Sequence, residues 1–422
     1  MQRAKLGLLM FMILPVIAAR AVDVPSVPYA TITELLEWYG IDVNEGLTAL
    51  PSLNVPMGGR SEAMGTAFAA VADDASFLEW NPAGSSTLPV TELAFFHNNW
   101  IQDSKVEGAV FATRKNALGL AVGGKWLYLP FTETDSFGNR ASKGYYAETT
   151  AVLNASYNLL AGYYFSGISL GANLKGSYRF VPDFSDNEGT VVPGSGASQS
   201  TFAAMADFGL LTRFNLLKFY YARERNSSFA LVIRNFGPPA LDEPMPTVAT
   251  AAVSYRPIRP VLAAFDFSVP INLMDPALSE RPYAAIGASA AITKFLSMRA
   301  GLLYRSSNLR LSVGSGIALE GIDLDVTYTL DLLTQLTPLN RVSLAARFDF
   351  GDGGRAERAR KVDELYLKGL EEYANGNPDE ALRLWKEVLD MDPRFDPARE
   401  GTSALLASRA LEKRIDEIQK LE

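Results

Sequence analysis

The chain has 422 residues, a formal net charge of -8, one histidine and no cysteine. The length favours one large domain with a smaller one beside it, at roughly 100 to 200 residues per domain. The missing cysteines exclude disulfides and thiolate metal sites, and the single His97 makes a protein-built zinc site improbable. No basic block tracks a phosphate backbone, so we expect no nucleic acid partner. An enzyme is improbable without an evident nucleophile setting, and we expect no catalytic residue, metal or cofactor.

The N-terminus has the pattern of a secretory signal peptide over residues 1–21. Arg3 and Lys5 precede an apolar run over residues 6–17, and Ala19-Arg20-Ala21 forms a small-residue cleavage site. The apolar run is too short to cross a bilayer, which requires about 20 residues. The proline-punctuated residues 22–57 then predict a periplasmic lead-in.

Residues 58–89 are rich in glycine and alanine and predict a compact plug of short helices, here called the hatch. Asn81-Pro82 disfavours helix at Asn81 and indicates a turn. Asp73 and Asp74 are expected to cap the short helix 75–80, a role worth about 1 kcal/mol. The alternative is that this acidic pair moves or deprotonates when the hatch opens.

Residues 90–350 alternate between apolar and polar side chains with period two. In 322–330, Ile322, Leu324 and Val326 face one way, and Asp323 and Asp325 face the other. We count about fourteen such segments, whose length and alternating short and long connections favour an outer-membrane barrel over a soluble sandwich. Aromatic residues near strand ends, Trp100 among them, are expected at the level of the lipid headgroups.

Paired glycines interrupt the third predicted strand at Gly123 and Gly124. Glycine inside a strand often marks a bulge or a close backbone approach. One interpretation is a strand kink that opens a lateral window into the membrane. The other, slightly favoured, is that glycine leaves room for the hatch.

The alternation assigns several arginines to the barrel lumen. Arg299, Arg305 and Arg310 lie on adjacent strands and are the candidate site for an anionic group such as a carboxylate. The favoured alternative is that they only neutralise lumenal acids, namely Asp266, Asp323, Asp325 and Asp349.

After a short linker at 351–354, residues 355–422 are helical and charged. The spacing of Gly369, Gly376, Ala381, Trp385 and Pro393 resembles a tetratricopeptide repeat (TPR). About three repeats are needed to bury a solenoid core, so this module must pack on the barrel mouth, on a second copy or on a partner. An even number of strands places it in the periplasm.

Three pieces of the hatch carry a family resemblance: Gly59-Arg60, Ala72-Asp73-Asp74-Ala75 and Asn81-Pro82-Ala83. Followed by a barrel-like strand series, they resemble the N-terminal hatch of the FadL-type long-chain fatty acid transporters and their PorV-like relatives. The resemblance covers roughly residues 57–350 and implies a fourteen-stranded barrel that the hatch closes. The C-terminal helices lie outside that family's usual pattern.

The predicted fold is therefore an all-β transmembrane outer-membrane barrel with an N-terminal hatch and a small C-terminal helical domain. The resemblance implies passage of hydrophobic molecules, such as long-chain fatty acids, with outer-membrane lipids around the barrel. The alternative function is a PorV-like scaffold that docks a periplasmic or secreted partner through residues 355–422.

Overall fold

The computed structural model describes residues 46–101, 103–134, 140–183, 190–222, 224–305, 308–332 and 341–419. The predicted signal peptide and the lead-in as far as residue 45 lie outside these ranges, as do parts of three predicted long loops, at 135–139, 184–189 and 333–340. Within the described ranges, no helix has the length and apolar character needed to cross a membrane.

The described residues form one closed barrel of fourteen antiparallel strands, in which every strand pairs with its sequence neighbours and β1 closes on β14. The strands are β1 Glu92–Asn99, β2 Lys105–Lys115, β3 Leu118–Thr134, β4 Arg140–Leu159, β5 Ile168–Phe180, β6 Thr201–Phe214, β7 Ser227–Phe236, β8 Thr247–Ile258, β9 Val261–Ile271, β10 Tyr283–Ala291, β11 Leu296–Arg305, β12 Asn308–Leu319, β13 Ile322–Asp331 and β14 Arg341–Asp349.

The barrel carries apolar side chains on its outside and polar ones inside. On β13, Leu324 and Val326 are 40% and 49% exposed, whereas Asp325 and Thr327 beside them are 2% and 1% exposed. A soluble protein has the reverse distribution, because water and not lipid surrounds it. The predicted transmembrane barrel is confirmed.

The two ends of the barrel differ in their connections. At the terminal end, where β1 begins and β14 ends, tight connections span 116–117, 259–260 and 320–321. At the opposite end, 181–200, 237–246 and 272–282 are longer. Two terminal-end connections, 160–167 and 215–226, are longer, and Tyr163 and Tyr164 in the first of them pack against the C-terminal helices.

The hatch fills the lumen with short helical pieces. They are the helices α1 Arg60–Ala63 and α2 Phe77–Trp80 and the 3-10 turn Pro82–Thr87; another 3-10 turn, Pro51–Asn54, precedes the hatch. Phe68, Phe77 and Leu88 are fully buried, so hatch and wall share one core. A further 3-10 turn, Pro276–Leu278, lies in an opposite-end connection.

Residues 46–57, the N-terminal strap, also lie against the barrel and not outside it. Gly46 and Ala49 donate backbone hydrogen bonds to the carbonyls of Leu278 and Pro244 in the opposite-end connections, at 3.0 and 2.9 Å. Leu50 and Leu53 bury their side chains in a cluster with inward-facing wall residues. The predicted periplasmic lead-in therefore does not extend over these residues, because their apolar side chains are buried against the wall.

Glycines line the wall at several places where the hatch packs closely against it. At Gly287 an added Cβ atom would lie 2.5 Å from the Met64 carbonyl oxygen, and at Gly314 it would lie 2.6 Å from the Ala63 Cβ. The same clash occurs on four other strands, at Gly119, Gly171, Gly209 and Gly301. Real side chains do not fit at such distances, so the wall is shaped to hold the hatch in one position.

The predicted strand kink at Gly123 and Gly124 is wrong. β3 keeps an unbroken register through both residues, with Gly123 opposite Val110 on β2 and Gly124 opposite Ala151 on β4. A Cβ atom at Gly123 would lie 2.8 Å from the side chain of Leu78 in the hatch. Gly123 leaves room for the hatch, as the second interpretation proposed, whereas a Cβ atom at Gly124 would lie 2.3 Å from the Thr150 carbonyl oxygen of β4.

Three helices follow the barrel: α3 Arg355–Ala374, α4 Pro378–Met391 and α5 Asp396–Gln419. Their core surrounds Trp385, against which Gly369 of α3 and Gly401 of α5 pack. The Asp352 carboxylate accepts from Ala356 N (2.6 Å) and Gly354 N, and these bonds hold the pKa of Asp352 below its ordinary value. The module packs on the terminal mouth through Tyr163, whose ring lies 5.0 Å from that of Phe395.

Candidate functional site

A buried charge network joins the hatch to the barrel wall. Arg60 Nη1 lies 2.6 Å from Asp73 and 3.0 Å from Asp74. Arg347 on β14 contacts Asp74 at 3.1 Å and Asp325 on β13 at 3.2 Å. We call these five residues the latch. It fixes the hatch near the terminal end, because a broken buried ion pair leaves an uncompensated charge.

Asp73 and Asp74 have different roles in the structure. Asp74 Oδ1 accepts from the backbone N–H of Ser76 at 2.9 Å, which caps the turn leading into α2. Its other oxygen pairs with Arg60 and Arg347. Asp73 bonds Arg60 through both oxygens. Asp74 therefore both caps the turn and joins the hatch to the wall, whereas Asp73 only pairs with Arg60.

The other predicted hatch residues also hold the plug together or attach it to the wall. Gly59 has a φ of +70°, its N–H donates to Ser343 Oγ at 3.1 Å, and its carbonyl accepts from Thr327. The Asn81 amide donates to the Ala69 carbonyl, and its oxygen accepts from Ala83 N, which caps the 3-10 turn that begins at Pro82. The six predicted hatch residues thus act structurally inside the lumen.

The structure does not bring the three predicted carboxylate-binding arginines together. Arg299 pairs with Asp325 and lines a cavity at the terminal end. Arg305 forms a two-pronged pair with Glu280 at 2.6 and 2.7 Å, and Arg310 lies 3.5 Å from Asp331. Each arginine therefore has a carboxylate partner, but only Asp325, the partner of Arg299, is among the four acids that the neutralisation alternative named. Of the four acids named for that role, Asp266 accepts hatch N–H groups instead, from Phe68 and Ala69.

Arg305 and Arg310 line a second cavity, on the opposite-end side of the hatch, which we call the aromatic chamber. Its walls include three aromatic rings that face arginine side chains. Arg341 lies 3.9 Å from the Trp100 ring centre, and Arg305 lies 4.8 Å from that of Tyr283. Arg234 lies 4.8 Å from the ring centre of Trp80, in the hatch. Such cation–π contacts keep guanidinium groups beside apolar surface.

Sequence reasoning did not assign Arg341, Arg234, Trp80 or Trp100 to a binding site. Trp100 was expected among the headgroups, but it lies over Arg341 at the chamber because the chain turns inward after β1. Arg341 occupies an inward position of β14, so the period-two alternation of that strand could have identified it as a lumenal residue. Trp80 follows no period that distinguishes it from the rest of the hatch.

Several polar atoms around the chamber are buried without a hydrogen-bond partner in the described part of the chain. They are Trp80 Nε1, Arg234 Nε, Arg341 Nε and Asp331 Oδ1. Buried polar atoms are normally satisfied by protein, water or a ligand. The chamber volume is about 40 Å³, enough for a few waters. The chamber can therefore accept a polar group, but a larger guest requires movement.

On the other side of the hatch lies a wider cavity at the terminal mouth, the terminal vestibule. Its volume is about 570 Å³, and its lining includes Arg114, Arg213 and Arg256 beside apolar Leu211 and Leu262. Hatch residues line both cavities, and no lining residue is common to the two. The hatch therefore separates the chamber from the vestibule.

A protein-family profile, described as "Uncharacterised protein family (UPF0164)", matches residues 42–352. This range spans the strap, the hatch and the barrel. The chain belongs to the UPF0164 family. A UPF0164 protein of Treponema pallidum (strain Nichols) is 31% identical over 366 residues, which cover 82% of this chain and 80% of the relative. A second from the same organism is 25% identical over 382 residues, covering 83% and 74%.

Solved structures of barrel channels show a weaker likeness to this UPF0164 member. The CymD monoaromatic hydrocarbon channel is 14% identical with a TM-score of 0.48, covering 70% of this chain and 97% of that one. The Pseudomonas putida toluene transporter TodX is 12% identical with a TM-score of 0.43, covering 68% and 96%. Values this low do not carry a functional inference.

Proposed function

We propose that the protein passes hydrophobic molecules with a polar head, such as long-chain fatty acids, across the outer membrane through its plugged barrel. The observation that carries the proposal is the aromatic chamber, where apolar and aromatic walls meet arginine donors. Ligand sites combine mostly apolar walls with a few placed polar groups, and arginine orients carboxylates well. The resemblance of the hatch motifs to FadL-type transporters supports the same class of cargo.

The N-terminal strap is the element that must move to admit a guest. Leu53, Asn54 and Val55 form part of the chamber wall. The strap is held by the buried side chains of Leu50 and Leu53 and by individual hydrogen bonds, in which Ser52 N donates to the Glu148 carboxylate and Lys125 Nζ donates to the Val55 carbonyl. The hatch is held more firmly, because the latch and the close packing against the wall glycines fix it as well. We therefore propose that the strap yields first and that the hatch rearranges in a second step toward the vestibule.

The terminal end, with its helices, faces the periplasm in this proposal. Short connections are typical of the periplasmic side of outer-membrane barrels, and longer ones of the outer side. The opposite end, where the strap covers the chamber, is then the side of entry.

Tryptophan fluorescence tests the proposal, because Trp80 and Trp100 line the chamber. In a variant with Trp38, Trp126 and Trp385 changed to Phe, a dibrominated fatty acid should quench these two residues saturably. A brominated detergent should not reach them. The reciprocal variant that keeps only Trp126, which is 42% exposed on the outer face, should be quenched by the detergent. Chamber fluorescence that ignores the fatty acid would contradict the proposal.

A scaffold function is the second candidate, supported by an apolar stripe on α5. Leu411 and Ile418 are each 61% exposed, and Ile415 between them is 45% exposed. Deleting residues 355–422 distinguishes the two functions. Fatty acid quenching should survive if the barrel alone transports. If the scaffold is the function, full-length protein should show no saturable quenching, and the deletion should remove capture of a periplasmic protein.

A further inference from the structure

The arginines of the terminal vestibule differ from most arginines elsewhere in the lumen, with the exception of Arg234 in the aromatic chamber, which contacts the Glu79 carbonyl at 3.5 Å. Arg60, Arg299, Arg305, Arg310, Arg341 and Arg347 each lie within 4.0 Å of a carboxylate. Among the described residues, neither Arg114 nor Arg213 has a carboxylate at that distance. Arg256 has only Glu224, at 3.7 Å, and the Glu224 side chain is 82% exposed.

Backbone carbonyls take the place of carboxylates at these arginines. Arg114 donates to the carbonyls of Asn116 (2.8 Å) and Leu88 (3.3 Å), and Arg213 makes one long contact with the Val71 carbonyl (3.5 Å). A guanidinium has five N–H donors, so each retains donors for another acceptor. Leu88 and Val71 belong to the hatch, so these arginines contact both the hatch and the vestibule.

The positive charge of the vestibule continues beyond this pair. Arg355, the first residue of α3, donates to the carbonyls of Arg114 (2.7 Å) and Leu88, and its charge acts on Arg114. The negative charge of Asp73 favours the charged form of Arg213, but both carboxylate oxygens of Asp73 already pair with Arg60. The local excess of cations attracts an anion from the aqueous side.

The vestibule lining also includes apolar side chains, which fit an anion that carries an apolar group. Val71, Pro89, Leu211 and Leu262 border the same cavity as the arginines. Its volume of about 570 Å³ is larger than an inorganic anion requires. We propose that the terminal vestibule is a binding site for the anionic headgroup of an amphiphile, a carboxylate or a phosphate, held by Arg114, Arg213 and Arg256 with the start of the tail on the apolar wall.

This site is separate from the aromatic chamber and does not depend on transport. Anion binding with no quenching of the chamber tryptophans would refute the transport proposal and leave this one intact. The reverse result would refute this one alone.

Calorimetric titration of the full chain in a non-ionic detergent tests the site with three water-soluble probes. Hexyl phosphate should bind, inorganic phosphate should bind more weakly, and uncharged hexanol should not bind measurably. Equal affinity for the two phosphates would overturn the amphiphile and leave a site for a free anion. Equal binding of hexanol would overturn the role of charge.

The double variant Arg114→Gln/Arg213→Gln should bind hexyl phosphate at least about tenfold more weakly, because it loses hydrogen bonds to a charged group. Arg360→Gln removes one arginine charge from an exposed position on α3, outside the vestibule, and should leave the affinity for hexyl phosphate unchanged. The single variant Arg256→Gln keeps the hatch contacts, so it tests the site even if the double variant folds poorly. Full affinity in both vestibule variants would overturn the location.

Discussion

Arg347 is the residue on which the attachment of the hatch most depends. It is a buried cation that contacts Asp74 of the hatch and Asp325 of the wall. Arg347→Gln leaves both acids without this partner, and breaking a buried pair costs about 3 to 5 kcal/mol. We expect a loss of that size in urea unfolding followed by the gel mobility of the folded barrel.

Arg360→Gln is the control for that measurement, since Arg360 is 72% exposed and pairs only with Glu364. Its unfolding free energy should stay within about 0.5 kcal/mol of the parent. An Arg347→Gln barrel as stable as this control would mean that the latch does not hold the hatch.

The wall glycines provide a second prediction on a single strand. Gly171 faces inward against the Pro82 backbone, so Gly171→Ala forces the hatch to shift and should cost about 1 to 3 kcal/mol. Gly176 faces outward, where a Cβ would meet only the tip of the Phe202 ring at 3.2 Å. Gly176→Ala should be neutral in the same unfolding measurement. Equal effects of the two changes would contradict the close fit of the hatch.

At the level of residues, the sequence predicted on which face of a strand a side chain lies but not which charged residues pair with each other. Alternation placed Arg299 and Asp325 in the lumen, because side chains of a strand alternate between its two faces. It could not show that Asp325 serves both Arg299 and Arg347. That choice depends on register between strands and on the hatch, which brings Asp74 to the same place.

Among the elements, the strands were the most predictable and the plug segments the least. Fourteen strands with apolar outer faces follow from period two and turn spacing. The strap was not recognised, because Leu50 and Leu53 give no period in a proline-punctuated stretch and gain burial only from β6 and the 237–246 connection. The glycines of β3 were ambiguous for the same reason, because the Leu78 side chain that packs against Gly123 is distant from it in sequence.

The docking of the helical module gives an element-level prediction. Tyr163→Ala removes the edge contact with Phe395, worth about 0.5 to 1.5 kcal/mol for an aromatic pair. We expect faster tryptic cleavage near Arg358 at the start of α3, with the barrel itself intact. Tyr157→Ala changes an outward-facing ring near the same end and should leave cleavage unchanged. Slow cleavage in both variants would show that Tyr163 does not secure the module.

The whole molecule is a wall, a fixed hatch and a strap, with a cavity on each side of the hatch. In the chamber, Arg305 and Arg310 are paired with carboxylates, whereas Arg114 and Arg213 of the vestibule are bonded to backbone carbonyls. In the proposed function, a guest that crosses disturbs the strap first and then the hatch. Sequence reasoning predicted a plug that something displaces or bypasses, but the two cavities depend on how the hatch divides the lumen, which no local pattern encodes.

A cysteine pair at positions 85 and 156 tests that account most directly, because the chain has no other cysteine. Ser85 Oγ in the hatch lies 2.6 Å from Ser156 Oγ on β4, within reach of a disulfide after Ser85→Cys/Ser156→Cys. Oxidised protein should lose uptake of labelled long-chain fatty acid, a reductant should restore it, and Ser85→Cys alone should respond to neither. Full uptake through a barrel whose hatch is cross-linked to its wall would contradict the account.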